Sequence, residues 1–279
     1  MTAFKITCFA VSTKRQLGIG REAAAVCCTR RATCSTIAHH RERTRKRFCS
    51  WLVSELLSRE VFDEKLTRNE LSIAFVGMSN SGKSFRSRKL ATELGFDIVS
   101  VDEEIEKLLQ QELGDIQGAG TDALASWMGF PFHETFRERE RRYLQIEEDI
   151  TSNARPRKKT NFALDTTGSV VYLSTECQEK IRRDYLIVYL EIAESSIAEM
   201  IETFFKCPKP VVWGDKYVRL PEANSDEENL RMCYPELLRW RAERYKKLSD
   251  ITVPSDLARS SQVSSEAFLD IMRSKLRAF

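Results

Sequence analysis

Eight consecutive residues, Gly77-Met78-Ser79-Asn80-Ser81-Gly82-Lys83-Ser84, carry the most explicit chemistry in the chain. Glycines at both ends of the turn let the backbone curl so that its N–H groups converge on one point. The lysine that follows supplies a compact positive charge, and the serine a hydroxyl. This is the Walker A pattern, which cradles nucleotide phosphates. Gly77, Ser79, Asn80, Ser81 and Gly82 would present backbone N–H groups to ATP. Lys83 would meet its β- and γ-phosphates, and Ser84 would face Mg²⁺.

Two aspartates close short apolar runs. Asp102 follows Phe96–Val101, and Asp165 follows Asn161–Leu164. A carboxylate at a strand end can act as general base, ligate Mg²⁺, or cap the next helix or turn. Taken alone, Asp102 reads first as a cap of the helix it opens, a role that leaves a further one open. Asp165, at the end of an apolar strand, has the general Walker B form, and a capping role is equally open. Arg137 and Arg241 lie in stretches dense in Arg and Glu, where most charges form a solvated helix face.

The elements that must hold these residues alternate. Strands are expected at Leu71–Val76, Phe96–Val101, Asn161–Leu164, Leu186–Ile192 and Ile251–Val253. Helices are expected at Lys83–Leu94 (stopped by Gly95), from Asp102 to about Leu113, over Thr121–Asp149 and Ala193–Phe205, and over Glu227–Ser249 and Ser264–Leu276. The proline-rich Cys207–Asn224 has no period and is expected to be a mobile flap. Such βα alternation implies a five-stranded parallel sheet with helices on both faces and ligands at the carboxyl ends of the strands.

Charge and cysteine divide the 279-residue chain unevenly. Residues 1–50 hold eleven Lys/Arg against Glu22 and Glu42, leaving 33 Lys/Arg against 39 Asp/Glu, a net of −6, in residues 51–279. An acidic folded part argues against a nucleic-acid partner, since such proteins must neutralise several phosphates. No apolar run approaches the ~20 residues of a membrane-spanning helix, so no membrane partner is expected. The arginine-rich, acid-poor 1–50 segment reads as an organelle transit peptide or a disordered basic tail. Five of the eight cysteines lie there, and Cys27, Cys28, Cys34, His39 and His40 do not have zinc-site spacing. Residues 51–70 read as a linker or a packed helix.

From about Leu71 to its end the chain resembles the shikimate kinases. The features that carry the likeness, beside the phosphate loop, are Val101-Asp102-Glu103-Glu104-Ile105-Glu106, Phe136-Arg137-Glu138-Arg139-Glu140, Thr166-Thr167-Gly168-Ser169-Val170 and Arg241-Ala242-Glu243-Arg244-Tyr245. The resemblance implies a P-loop kinase domain over 71–279 that moves the γ-phosphate of ATP to a hydroxyl of shikimate. Asp102 would bind that hydroxyl as base or orienter. Arg137 and Arg241 would hold the substrate carboxylate, Thr167 and Gly168 would give backbone contacts, and Lys209, in the flap, would reach the nucleotide. The expected partner is a small molecule, and the expected state a monomer.

The chain departs from this pattern in four places. Ser100 stands where the family has an aspartate near the magnesium, and Asp165 could replace it. The triple-glycine turn has become Thr166-Thr167-Gly168. A flap arginine is Lys209, and Glu202 replaces an adenine-side arginine. These changes keep two other readings open: a shikimate kinase-like protein without activity that binds nucleotide or aids assembly, and a sister kinase for another polyol such as gluconate. The first 50 residues imply a plastid location, with mitochondrion or cytoplasm as alternatives.

Overall fold

The computed structural model describes residues 58–114 and 120–278. Five strands, β1 (Ser72–Val76), β2 (Asp97–Ser100), β3 (Phe162–Asp165), β4 (Leu186–Glu191) and β5 (Ile251–Pro254), form a parallel sheet in the order β2-β3-β1-β4-β5. The helices around it are α1 (Arg59–Arg68), α2 (Lys83–Leu94), α3 (Val101–Leu113), α4 (Thr121–Met128), α5 (Phe136–Asn153), α6 (Thr175–Asp184), α7 (Ile197–Lys206), α8 (Asp226–Leu248), α9 (Ser255–Arg259) and α10 (Ser265–Lys275). Alternate strand residues divide between two apolar clusters, as a sheet covered on both faces requires. Ile73, Phe75, Val188 and Val253 pack with α1, α2, α9 and α10. Ala74, Val76, Leu164, Ile187 and Tyr189 pack with α3 to α8. This is the five-stranded P-loop kinase architecture expected from the alternation.

Helix ends follow local chemistry. Gly95 adopts φ +69°, its N–H donates to the Ala91 carbonyl and the Phe96 N–H to that of Leu90, so α2 stops where the glycine predicts. The stretch Thr121–Asp149, expected as one helix, is two. Gly129 (φ +73°) ends α4, and Pro131 two residues on prevents its resumption. Residues 194–196 form a 3₁₀ turn, and α7 begins only at Ile197.

The amino-terminal helix belongs with the sheet. Phe62 on α1 is buried in the same cluster as Phe268 and Met272. Arg273 grips Asp63 through both carboxylate oxygens at 2.6–2.9 Å and holds that carboxyl below its usual range. Residues 59–68 are thus a packed helix, and the domain starts earlier than position 71. Residues 1–57 lie outside the described residues, and with them the transit-peptide reading of 1–50 and its cysteines. Among the described residues no helix is long and apolar enough to cross a membrane.

Candidate active site

The phosphate loop joins β1 to α2 at the carboxyl edge of the sheet. Gly77 has φ +150°, and a Cβ there would lie 2.9 Å from both the Leu190 carbonyl oxygen and Ser81 Oγ. Gly82 has φ +99°, and its Cβ would strike the Arg259 side chain at 2.7 Å. Both positions demand glycine, and the cradle they shape fits phosphate oxygens. Lys83 lies within the loop, donating to the Gly77 and Met78 carbonyls at 2.9 Å each. Burial lowers its pKa, opposed by Asp165 and Asp102. The loop opens into a cavity of about 600 Å³, which Ser79, Asn80, Gly82, Lys83 and Ser84 line together with Asp102, Gly168, Lys209 and Arg241.

Asp102 does not cap α3. Ser100 takes the N-cap position, without a side-chain hydrogen bond, and Asp102 stands in the first turn. Its Oδ1 accepts the Tyr143 hydroxyl at 2.9 Å. Burial pushes the Asp102 carboxyl up, against the pull of Lys83 and of the Tyr143 bond. Tyr143 comes from α5, whose inward stripe is Phe136, Glu140, Tyr143 and Glu147. The helical spacing of that stripe is present in the sequence, but the dense charge around it reads as a solvated face.

Asp165 is 5% exposed and ends β3 beside the loop. Burial raises its pKa to about 6, while Lys83 and a hydrogen bond with Ser84 act to lower it. Its register partner on β2 is Ser100. The strand beside position 100 thus ends in a carboxylate at the same level of the sheet edge. Two hard oxygen donors, Ser84 and Asp165, next to a phosphate cradle fit Mg²⁺, which keeps most of its shell as water and phosphate oxygen.

The turn after β3 separates the roles of its residues. Thr166 and Thr167 are each 1% exposed and face the interior. Thr166 Oγ1 donates to the Phe75 carbonyl at 2.7 Å. Thr167 Oγ1 and Ser169 Oγ both donate to the buried carboxylate of Glu147. Neither threonine narrows the cavity, and Thr167, expected as a substrate contact, does not line it. Gly168 does: a Cβ there would lie 3.3 Å from Arg241 Nη1 and 3.9 Å from Ser79 N. The one glycine retained from the triple is the one whose side the cavity uses. Arg241 and Tyr245, one turn apart on α8, both meet this turn, and the Tyr245 hydroxyl donates to the Gly168 carbonyl. Burial raises the Glu147 pKa to about 7, opposed by the hydroxyls of Ser169 and Thr167.

The two arginines expected to act together are separated. Arg241 is 6% exposed and lines the cavity, donating from Nη2 to the Val212 carbonyl at 2.6 Å. Arg137 is exposed and lies outside the cavity lining, bonded to Glu140 and to the Gly214 carbonyl. The segment Cys207–Asn224 has no helix or strand, as expected of a flap, yet its centre is interior: Val211, Val212 and Trp213 are 7%, 1% and 1% exposed. Lys209 reaches the cavity and binds Thr121 Oγ1 at 3.1 Å and Asp122. Glu202 pairs with Arg231 at 3.3 Å.

A further cation stands at the mouth of the loop. Arg259 on α9 lines the cavity, with Nη1 3.4 Å from the Asn80 carbonyl. It is held there by Arg86, which is fully buried and donates to the carbonyls of Leu257, Ala258, Ser260 and Val263 at 2.9–3.2 Å. The Arg86 guanidinium also sits 4.3 Å from the Phe268 ring centroid. Neither arginine belongs to a motif, so nothing local in the sequence marked them.

Comparison with known proteins adds relatives. No family model matches the chain. It is 28% identical over 176 residues to a shikimate kinase of Thermodesulfovibrio yellowstonii, covering 63% of this chain and 81% of that protein. It is 27% identical over 207 residues to one of Chlorobium chlorochromatii, covering 74% and 94%. Among solved structures, a shikimate kinase from Acinetobacter baumannii in complex with shikimate matches 77% of this chain and 99% of its own, at 19% identity and a TM-score of 0.42.

Proposed function

We propose that this chain, a divergent shikimate kinase-like protein, is a Mg²⁺- and ATP-dependent kinase that phosphorylates a hydroxyl of a small polyol. The observation that carries the reading is one cavity holding Lys83 and the phosphate loop on one side and Asp102, fixed by Tyr143, on the other. Phosphoryl transfer asks mainly for positioning and charge neutralisation, and these residues are suited to both. The loop N–H groups and Lys83 would hold the phosphates. Ser84 and Asp165 would hold Mg²⁺, which would supply charge neutralisation for the phosphates. Asp102 would take the acceptor's hydroxyl proton as the oxygen bonds the γ-phosphorus and the bond to the β-phosphate oxygen breaks. Its raised proton affinity suits a base working near neutrality.

Shikimate is the acceptor that the resemblance implies. The positions of Asp102, Gly168 and Arg241 support it; that of Arg137 does not. A second reading, a nucleotide-binding protein without transfer, draws support from the same departure. The test is ADP release by the full-length protein with shikimate and a panel of polyols that includes gluconate. Turnover that Asp102→Asn lowers by about a hundredfold or more, with acceptor KM little changed, supports the kinase reading. Intact ATP binding with no ADP release for any acceptor favours the second. We also propose a plastid location, on the composition of residues 1–50. Fluorescent fusions with and without that segment test it, and identical distributions would refute it.

A further inference from the structure

Burying a carboxylate is costly, and Glu147 on α5 is wholly buried. Its hydrogen-bond partners are two hydroxyls: Thr167 Oγ1 donates to one oxygen and Ser169 Oγ, at 2.5 Å, to the other. An apolar side chain could fill the same space without that cost. What the carboxylate adds is a pair of strong acceptors, and both are spent on the turn after β3.

That turn carries Gly168 between its two tethered residues. A Cβ on Gly168 would lie 3.3 Å from Arg241 Nη1 and 3.9 Å from Ser79 N. The Gly168 peptide therefore stands between the phosphate loop and the Arg241 guanidinium, where an acceptor must meet the γ-phosphate. Ser169 N donates to Thr167 Oγ1 at 3.0 Å, and the Tyr245 hydroxyl donates to the Gly168 carbonyl. Glycine at position 167 would leave Glu147 a single donor and the turn a single tether. The same helix face sets the base: Tyr143, four residues before Glu147, is 2% exposed and donates to Asp102 Oδ1 at 2.9 Å. Residues four apart project from one side of a helix, so Asp102 and the Gly168 turn are both referred to one rigid element.

We propose that Glu147 is a positioning residue of the acceptor site: through Thr167 and Ser169 it fixes the Gly168 peptide between Ser79 and Arg241, so that the acceptor hydroxyl is held in line with the γ-phosphate. The role in transfer rests on the kinase reading above; the brace does not. The two threonine-for-glycine departures in this turn then have a use, since a side chain at 167 is what the carboxylate grips.

The experiment is steady-state ADP release by full-length parent, Glu147→Leu, Glu147→Gln and Thr167→Val, with shikimate or whichever polyol of the panel turns over fastest. Leucine fills the space without an acceptor, whereas glutamine can bond both hydroxyls. Glu147→Leu should lower kcat/KM for the acceptor by about thirtyfold and leave KM for ATP within about twofold of the parent, because misplacement by a fraction of an ångström is felt at the reacting atoms. Glu147→Gln should restore most of that loss. Thr167→Val keeps the shape, removes one tether and should lose about fivefold; it carries the test if Glu147→Leu does not fold. Equal losses in the acceptor and ATP parameters, or an acceptor kcat/KM within about twofold of the parent in the variants that fold, would overturn the inference. Absence of ADP release by the parent with every acceptor would sink the kinase reading instead. The brace is then judged by exchange of the Ser169 amide, measured against the amides of β1. It should exchange about tenfold faster in Glu147→Leu, or in Thr167→Val if only that variant folds, than in the parent. The same relative rate in parent and variant would overturn it.

Discussion

Replacing Glu147 with glutamine should flatten the pH dependence of stability, and the size of the change can be worked out. Glu147 is wholly buried and braces the Thr167–Ser169 turn through both of its oxygens. Its folded pKa is raised from 4.5 to about 7. A raised carboxyl pKa means that the folded state binds the proton more tightly than the unfolded chain does. The associated stability is fully present below about pH 4.5 and is lost as pH rises through about 7. The gap of about 2.5 pH units, at about 1.4 kcal/mol each, corresponds to about 3 kcal/mol between pH 4.5 and 8. Glutamine keeps the shape and can bond both hydroxyls without titrating. The assay is urea unfolding of parent and Glu147→Gln at half-unit steps from pH 5 to 8. Asp165 also has a raised pKa and tilts both curves alike; Asp102, whose charge acts on Glu147, titrates with it, so the difference between proteins reports position 147 together with that coupling. Glu147→Gln should gain on the parent as pH rises, by about 2–3 kcal/mol overall. Parallel curves would refute the assignment of a protonated carboxyl beneath the turn.

Three further outcomes follow from the same structure. Lys83→Ala should weaken ATP binding by about a hundredfold, and stability should fall by less than about 2 kcal/mol, since only two carbonyl bonds are lost; equal ATP affinity by calorimetry would remove the phosphate-loop assignment. Asp165→Asn should raise the Mg²⁺ concentration for half-maximal nucleotide binding about tenfold, and an unchanged Mg²⁺ titration would reduce Asp165 to a structural residue. Arg86→Leu leaves four carbonyls without their donor and should cost about 3–5 kcal/mol in urea unfolding; a loss under about 1 kcal/mol would show that water replaces the guanidinium at no cost.

Much of the sheet was legible because its strands are apolar runs bounded by turns, and α2 was read to the residue because glycines mark both of its ends. The phosphate loop was legible because its chemistry is local. Legibility stopped where a residue's role depends on what faces it from elsewhere in the chain. Asp102 has the look of a helix cap in sequence, but its partner is Tyr143, 41 residues away. Glu140, Tyr143 and Glu147 have helical spacing, yet in a charged helix periodicity alone does not say which carboxylates turn inward. Val211-Val212-Trp213 is too short a run to carry a period, and its flanking prolines suggested a loose flap. Arg137 matched a motif register while its side chain went to the surface.

The pairing of Ser100 with Asp165 bears on how inactive kinases are diagnosed. Neighbouring parallel strands lie about 4.8 Å apart, so residues in register at their carboxyl ends offer a charge to nearly the same point. A column-by-column comparison scores position 100 as a lost function and does not notice position 165. The unit that selection can preserve is a location along the sheet edge, and more than one strand can fill it. Verdicts of degeneration in remote members of such folds therefore need to survey the ends of adjacent strands before a missing acid is counted as a missing activity.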